Sequence, residues 1–318
     1  MSLLTLSETF KPFRYPFAYA AWQMQQKVHW LVEEIPLNDD VVDWNKNLNE
    51  AEKNLLTQIF RLFTQMDVDV GNAYIDLYMP VFKNNEIRLM LLAFANMEGI
   101  HQVSYAHLLD TVGMPETEYS AFLEYSEMSD KHNFLKTFSN KSKRDVALTL
   151  AAFAAFTEGL QLFASFAILL NFPRFNRMKG MGQVITFSVR DETLHVESCI
   201  KLFHTFLGEN PDIDDFKLKD EITAICQQVV ENEDRFIDLA FKLGPVQGLT
   251  ADEVKRYIRY IADIRLYQLH LDPIYYIPTN PLPWIDQQLN AVEFSNFFEA
   301  RSTEYSKAAT TGTWDDVF

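Results

Sequence analysis

Between Val146 and Phe172 the chain runs for 27 residues with one charged side chain, Glu158. Lys141, Lys143 and Arg144 precede this run and Arg174 follows it. A helix of that length and composition either crosses a bilayer or lies enclosed by a large helical bundle. Glu158 and Gln161 sit near its centre, where hydrocarbon is least tolerant, and no comparable second span exists. The sequence therefore predicts a buried core helix. The surrounding composition agrees: Gly is scarce (10), Phe is abundant (26), and helical periodicity recurs throughout. Breaks at Pro80, Gly113 to Pro115, Pro173, Gly208 to Pro211, Gly244-Pro245 and Asn280 to Pro283 predict helices over about 49–79, 84–111, 145–171, 180–207, 215–243 and 250–270. Alternating strand patterns are nearly absent, so the fold class is all-α. No linker is evident. Residues 1–298 are expected to form one domain, and 299–318, polar and acidic at the end, a flexible tail.

Charge and cysteine usage narrow the function classes. A formal charge of −16 argues against nucleic acid or an anionic membrane surface as partner. Cys199 and Cys226 provide neither a disulfide framework nor a thiolate metal cluster, so a cytoplasmic location is expected. The start "MSLLTLSETFKPF" has no signal-peptide pattern.

Acids and imidazoles nevertheless interrupt the apolar stripes. In "NMEGIHQVSYAH", Glu98, His101 and Tyr105 share one helical face with Leu91, Phe94 and Leu108. In "SVRDETLHVESC", Glu192 and His195 repeat the Glu-x-x-His spacing on a stripe with Ile185, Ser188, Cys199 and Leu202. Asp67 lies among Phe60, Phe63, Val70 and Tyr74, and Glu158 among Ala151, Ala154, Leu162 and Ser165. The order is acid, Glu-x-x-His, acid, Glu-x-x-His, with 31 residues from Asp67 to Glu98 and 34 from Glu158 to Glu192. Each half reads as an antiparallel helix pair. Four buried carboxylates are prohibitively costly unless protonated or neutralised. Two divalent cations balance them, and two neutral imidazoles complete the shells. Oxygen and imidazole donors without sulfur suit iron or manganese better than a closed zinc site. This is the ligand set of di-iron and di-manganese carboxylate bundles. A lone Glu-x-x-His usually marks a solvated face, and Glu52, Glu197, Glu231, Glu233, Asp69 and Asp76 are expected to face water.

With these motifs the sequence resembles the small, radical-generating subunit of class I ribonucleotide reductase, from about residue 20 to the C-terminus. "MEGIHQVSY", "TEGLQLFASF" and "VRDETLH" carry the resemblance, supported by "NPLPWI" and "NFFEARSTEY". It implies a ferritin-like helical bundle, a homodimer, and a dinuclear centre of two irons, or of two manganese ions with a flavodoxin-like activator. Asp67, Glu98, His101, Glu158, Glu192 and His195 fall on its metal-ligand positions and Tyr105 on its radical tyrosine. Trp30 matches the tryptophan that hydrogen-bonds an aspartate, here Asp191, which in turn contacts His101. Leu162 and Phe166 fall on positions that keep the radical's pocket dry. Ser188 departs from the pattern, standing where relatives commonly carry an apolar side chain.

The resemblance further implies docking to a large catalytic subunit through the C-terminal tail. There Trp314 and Phe318 offer apolar anchors, Asp315 and Asp316 charge, and Tyr305 matches the tyrosine that relays the radical between subunits. The implied activity is ribonucleoside-diphosphate reduction. A ferritin-like dimetal oxidase acting on another substrate is the alternative. Iron storage and a non-catalytic scaffold fit less well, because Trp30, Tyr105 and all six ligand positions are present together.

Overall fold

Helices form where apolar periodicity coincides with capping residues. The computed structural model describes residues 2–288. Nine longer helices carry the architecture: α1 (Pro16–Lys27), α2 (Glu50–Asn72), α3 (Asn85–Val112), α4 (Ser126–Leu135), α5 (Lys143–Leu150), α6 (Leu162–Asn171), α7 (Lys179–Glu209), α8 (Phe216–Ala240) and α9 (Ala251–Gln268). Among the described residues three π-helical stretches interrupt the regular pattern, one of them the short Asp43–Asn47. Ala73–Tyr78 prolongs α2, and Ala151–Gln161 joins α5 to α6 in one continuous rod. No strand occurs among the described residues, only an isolated pairing of Val246 with Leu249.

The helix starts are written locally. Asn49 and Glu52 exchange side-chain and backbone hydrogen bonds at the head of α2, and Ser142 and Asp145 do the same for α5. Asn84 accepts from the Glu86 and Ile87 amides to open α3, which ends at Gly113 with φ of 79°. The head of α7 is capped from a distance. Asp40 accepts from the Gly180 and Met181 amides at 2.9 and 2.8 Å, and Asp43 from Met178 at 2.7 Å. A Cβ on Gly180 would lie 2.6 Å from the Pro36 carbonyl, so only glycine allows this approach.

The apolar run is the core of the bundle. Every residue from 149 to 172 is buried, and the rod packs against α7, α8 and α9. It is a core helix, as its central Glu158 and Gln161 predict. On the other side α2 packs along α3, and α3 against α1 and α7.

Three acids expected to face water do not. Glu52 is buried, paired at 2.7 Å with Arg177. Glu233 is wholly buried, 2.5 Å from Lys131, itself only 1% exposed. Asp69 is half-buried and bonded to His132. Their partners come from elements distant in sequence, which periodicity cannot reveal. Glu197, Glu231 and Asp76 are exposed as expected.

The first compact unit spans Met1–Pro281. The second begins at Leu282, and its described part is a short helical segment over 283–288. The expected boundary at 298/299 and the tail residues Tyr305, Trp314, Asp315, Asp316 and Phe318 lie outside the described residues.

Candidate metal centre

All six residues singled out as ligands converge inside the bundle. Asp67 comes from α2, Glu98 and His101 from α3, Glu158 from the π segment, and Glu192 and His195 from α7. Each is at most 1% exposed. His101 Nδ1 lies 3.2 Å from Glu192, 3.7 Å from Glu98 and 3.9 Å from Asp67. His195 Nδ1 lies 3.1 Å from Glu98, 3.5 Å from Glu158 and 3.6 Å from Glu192. Two overlapping ligand groups result, Asp67/Glu98/His101 and Glu98/Glu158/Glu192/His195, each with donor atoms within 4.8 Å of one another.

The decisive feature is what these atoms lack. Both oxygens of Asp67, Glu98 and Glu192 and Nδ1 of both histidines are buried without a hydrogen-bond partner. Buried polar atoms are ordinarily satisfied, and leaving one unpaired costs about 1–3 kcal/mol. Orphaned acceptors converging on a shared centre fit divalent cations, which satisfy all of them at once.

The outer nitrogens show how the imidazoles are set for this task. His101 Nε2 faces Asp191 Oδ2 at 3.3 Å, and the Trp30 indole donates to the same oxygen at 2.7 Å. The Gln25 amide donates to Asp191 Oδ1 at 3.2 Å, which turns its carbonyl oxygen toward His195 Nε2, 3.1 Å away. Each Nε2 thus faces an acceptor on the outside, and Nδ1 of both rings points into the carboxylate cluster. Gln25 escaped sequence reasoning. Its only signal is a glutamine on the buried stripe of α1 with Ala18 and Ala21.

Electrostatics report the strain of this cluster without cations. Burial first, then the Glu98 charge, pushes the Asp67 carboxyl well above its usual range. Burial likewise raises Glu158 to about 8, with His195 opposing and Glu192 adding to the rise. Burial alone would lower both histidines, but the surrounding carboxylates raise them well above the ordinary value. Burial would raise Glu98, yet the two imidazoles bring it below the usual range.

Two phenols flank the cluster. Tyr105, one turn beyond His101 with ring centroids 6.3 Å apart, is 2% exposed and packs on Phe63 at 4.5 Å. Phe63 in turn meets Phe166 edge-on. Leu162 is wholly buried on the same helix. The Tyr105 hydroxyl donates to Ser188 Oγ at 2.7 Å, and Ser188 donates to the Val184 carbonyl at 3.1 Å. The second phenol, Tyr74, donates to Glu158 Oε1 at 2.7 Å, with Cys199 Sγ 3.8 Å from its oxygen. Tyr74 reads as core from its stripe. Its place seven residues after Asp67 on that same stripe is the signal for a phenol at the site.

The chain is similar to known proteins over nearly its whole length. The family described as ribonucleotide reductase, small chain, matches residues 7–281. A probable ribonucleoside-diphosphate reductase small subunit of Invertebrate iridescent virus 6 is 42% identical over 356 aligned positions, covering 100% of this chain and 99% of the viral one. Its counterpart in Invertebrate iridescent virus 3 is 43% identical over 332 positions, covering 99% and 88%. The structure of a ribonucleotide reductase R2 subunit from Clostridium botulinum superposes with a TM-score of 0.83 at 22% identity, covering 91% of this chain and 94% of that one. That likeness establishes the ferritin-like helical fold.

Proposed function

Because this chain belongs to the ribonucleotide reductase small-chain family, we propose that its buried carboxylate–imidazole cluster holds two metal ions and that Tyr105 carries the oxidising equivalent the reductase needs. The observation that carries this reading is the set of orphaned acceptors on Asp67, Glu98, His101, Glu192 and His195, closed on the remaining side by Glu158. Four carboxylates neutralise two divalent cations, which satisfy the buried lone pairs together. The donor set suits two irons, or two manganese ions, which would bring a flavodoxin-like activator. When bound and oxidised by an oxygen-derived oxidant, such a centre would supply a one-electron oxidant strong enough to oxidise a phenol.

The chain's own residues do the rest. Asp67, Glu98 and His101 would hold one cation, and Glu158, Glu192 and His195 the other. Gln25 and Asp191 fix the imidazole tautomers. Phe63, Leu162 and Phe166 exclude water from the side of Tyr105, whose phenol burial keeps protonated until it is oxidised. Trp30, through Asp191 and His101, links the cluster outward and serves as the electron-transfer path. The substrate class is the ribonucleoside diphosphate, reduced on a large catalytic subunit. Tyr305 would relay the radical to it, while Trp314, Asp315, Asp316 and Phe318 dock the tail. The functional unit is a cytoplasmic homodimer joined to that large subunit. The reductase relatives favour this reading over an oxidase of another substrate.

Metal content and electron paramagnetic resonance test it. Wild-type protein should hold close to two metal ions per chain, and Glu158→Ala or His195→Ala should lower that content. Tyr105→Phe should keep the metals and lose the tyrosyl signal. Full metal stoichiometry in both ligand variants would sink the assignment.

A further inference from the structure

Arg265, near the end of α9, is a buried cation held by neutral acceptors. It is 8% exposed. Its Nε donates to the Gly159 carbonyl at 2.8 Å and its Nη1 to Gln268 Oε1 at 2.8 Å, and the guanidinium carbon lies 5.2 Å from the Phe163 ring centroid. Burial pulls its guanidinium down to about 10, with Tyr257 and the Glu197 carboxylate acting the other way by Coulomb attraction, so it remains charged at neutral pH. Desolvating a charge is costly, and carbonyl dipoles with a ring face compensate less than a carboxylate would. Such an arrangement calls for a reason beyond packing.

The reason lies in where the guanidinium binds. Gly159 follows Glu158 directly, inside Ala151–Gln161, which is π-helical over its whole length. π-Helix is rare and appears mostly as single turns, frequently at functional sites. Within the segment the Thr157 hydroxyl reaches back five residues to the Ala152 carbonyl at 3.0 Å. The segment has more residues per turn than the α-helices before and after it. Relaxation to α geometry would therefore rotate Glu158 away from Glu98 and His195. The close approach is also built for: a Cβ on Gly159 would lie 2.7 Å from Arg265 Nε and 3.0 Å from the Ala154 carbonyl.

We propose that Arg265 is a positioning residue that latches the Gly159 carbonyl, holds this segment in its π register, and so keeps the Glu158 carboxylate in the ligand cluster. Tyr74 restrains Glu158 at its tip, and Arg265 restrains it through the backbone. The latch acts on one of the two ligand groups, because Glu158 belongs with Glu192 and His195 but not with Asp67 and His101. This inference takes its main readout from the metal-site reading above.

Titration of the full-length metal-free protein with manganese(II), followed by electron paramagnetic resonance, tests it together with crystal structures of the variants. Arg265→Met keeps the bulk and removes the donors. It should bind one manganese as the wild type does and the second at least about tenfold more weakly, with residues 151–161 moved toward α geometry. Arg265→Lys, which retains a donor for the Gly159 carbonyl, should recover most of the second affinity. Gly159→Ala, which displaces the guanidinium, should behave like Arg265→Met. Wild-type affinity for both ions in Arg265→Met would overturn the latch. Equal weakening at both sites without rescue by lysine would also overturn it, because that is the mark of a packing role alone. If the wild type itself took up no manganese, the metal-site reading would fail, and the variant's helix register would decide the latch: an unchanged π segment in Arg265→Met refutes it.

Discussion

Ser188→Ala should destabilise the protein through a different residue, Tyr105. The phenol is 2% exposed and Ser188 is wholly buried, and the Tyr105 hydroxyl donates to Ser188 Oγ at 2.7 Å. Removing Oγ leaves a buried donor without its acceptor, which costs about 1–3 kcal/mol. Alanine's better helix propensity in α7 returns roughly 0.5 kcal/mol. Tyr105→Phe is different in kind. It removes the donor, while Ser188 keeps its bond to the Val184 carbonyl, so the loss is one ordinary hydrogen bond, about 0.5–1.5 kcal/mol. In the double variant nothing is orphaned. Tyr105→Phe should therefore be neutral or stabilising on the Ser188→Ala background, with a coupling of about 1–2 kcal/mol between the two sites. Urea denaturation of the four metal-free proteins measures this cycle, provided each unfolds in one transition. Additivity within about 0.5 kcal/mol would refute the reasoning. On the functional side, Ser188 is, among the described residues, the hydroxyl placed to donate to Tyr105 after its oxidation, so Ser188→Ala should also remove an exchangeable-proton coupling from the tyrosyl signal.

Metal uptake should strengthen as pH rises toward about 8, because Glu158 is protonated below that value and both histidines are raised as well. Cations displace these protons, so manganese affinity that stays flat between pH 6 and 8 would contradict the assignment. Trp30→Phe leaves Asp191 held by the Gln25 amide, so it should keep the metals and the Tyr105 signal but lose turnover with the large subunit. Equal turnover would remove Trp30 from the electron path. Deleting residues 312–318 should weaken large-subunit binding in a pull-down or titration while the metal site stays intact. Tyr305→Phe should bind normally and fail to turn over, and wild-type activity there would shift the relay to Trp314.

The cluster was legible because its determinants are local. Residues three and four apart share a helical face whatever surrounds the helix, so Glu98, His101 and Tyr105, or Glu192 and His195, could be placed together from spacing alone. Their repetition with Asp67 and Glu158 at similar offsets added the second dimension. The same logic misjudged Glu52 and Glu233. A face that looks solvated from spacing is buried when a distant Arg177 or Lys131 packs over it. Gln25 stayed hidden because its work lies between His195 and Asp191, about 170 residues away along the chain.

Sequence by itself determined the six long helices, though not α1 or α4, the buried character of the 146–172 run, the acids that interrupt the apolar stripes, and the resemblance they carry. All of these depend on the order of residues along one helix. Tertiary structure decided which lone pairs face inward, that Tyr105 rests on Ser188 while a second phenol, Tyr74, holds Glu158, and that the rod carrying Glu158 is π-helical under the Arg265 guanidinium. Those outcomes depend on the rotation and register of one helix against another, which are set by the packing of many side chains at once and leave no periodic trace in any one of them.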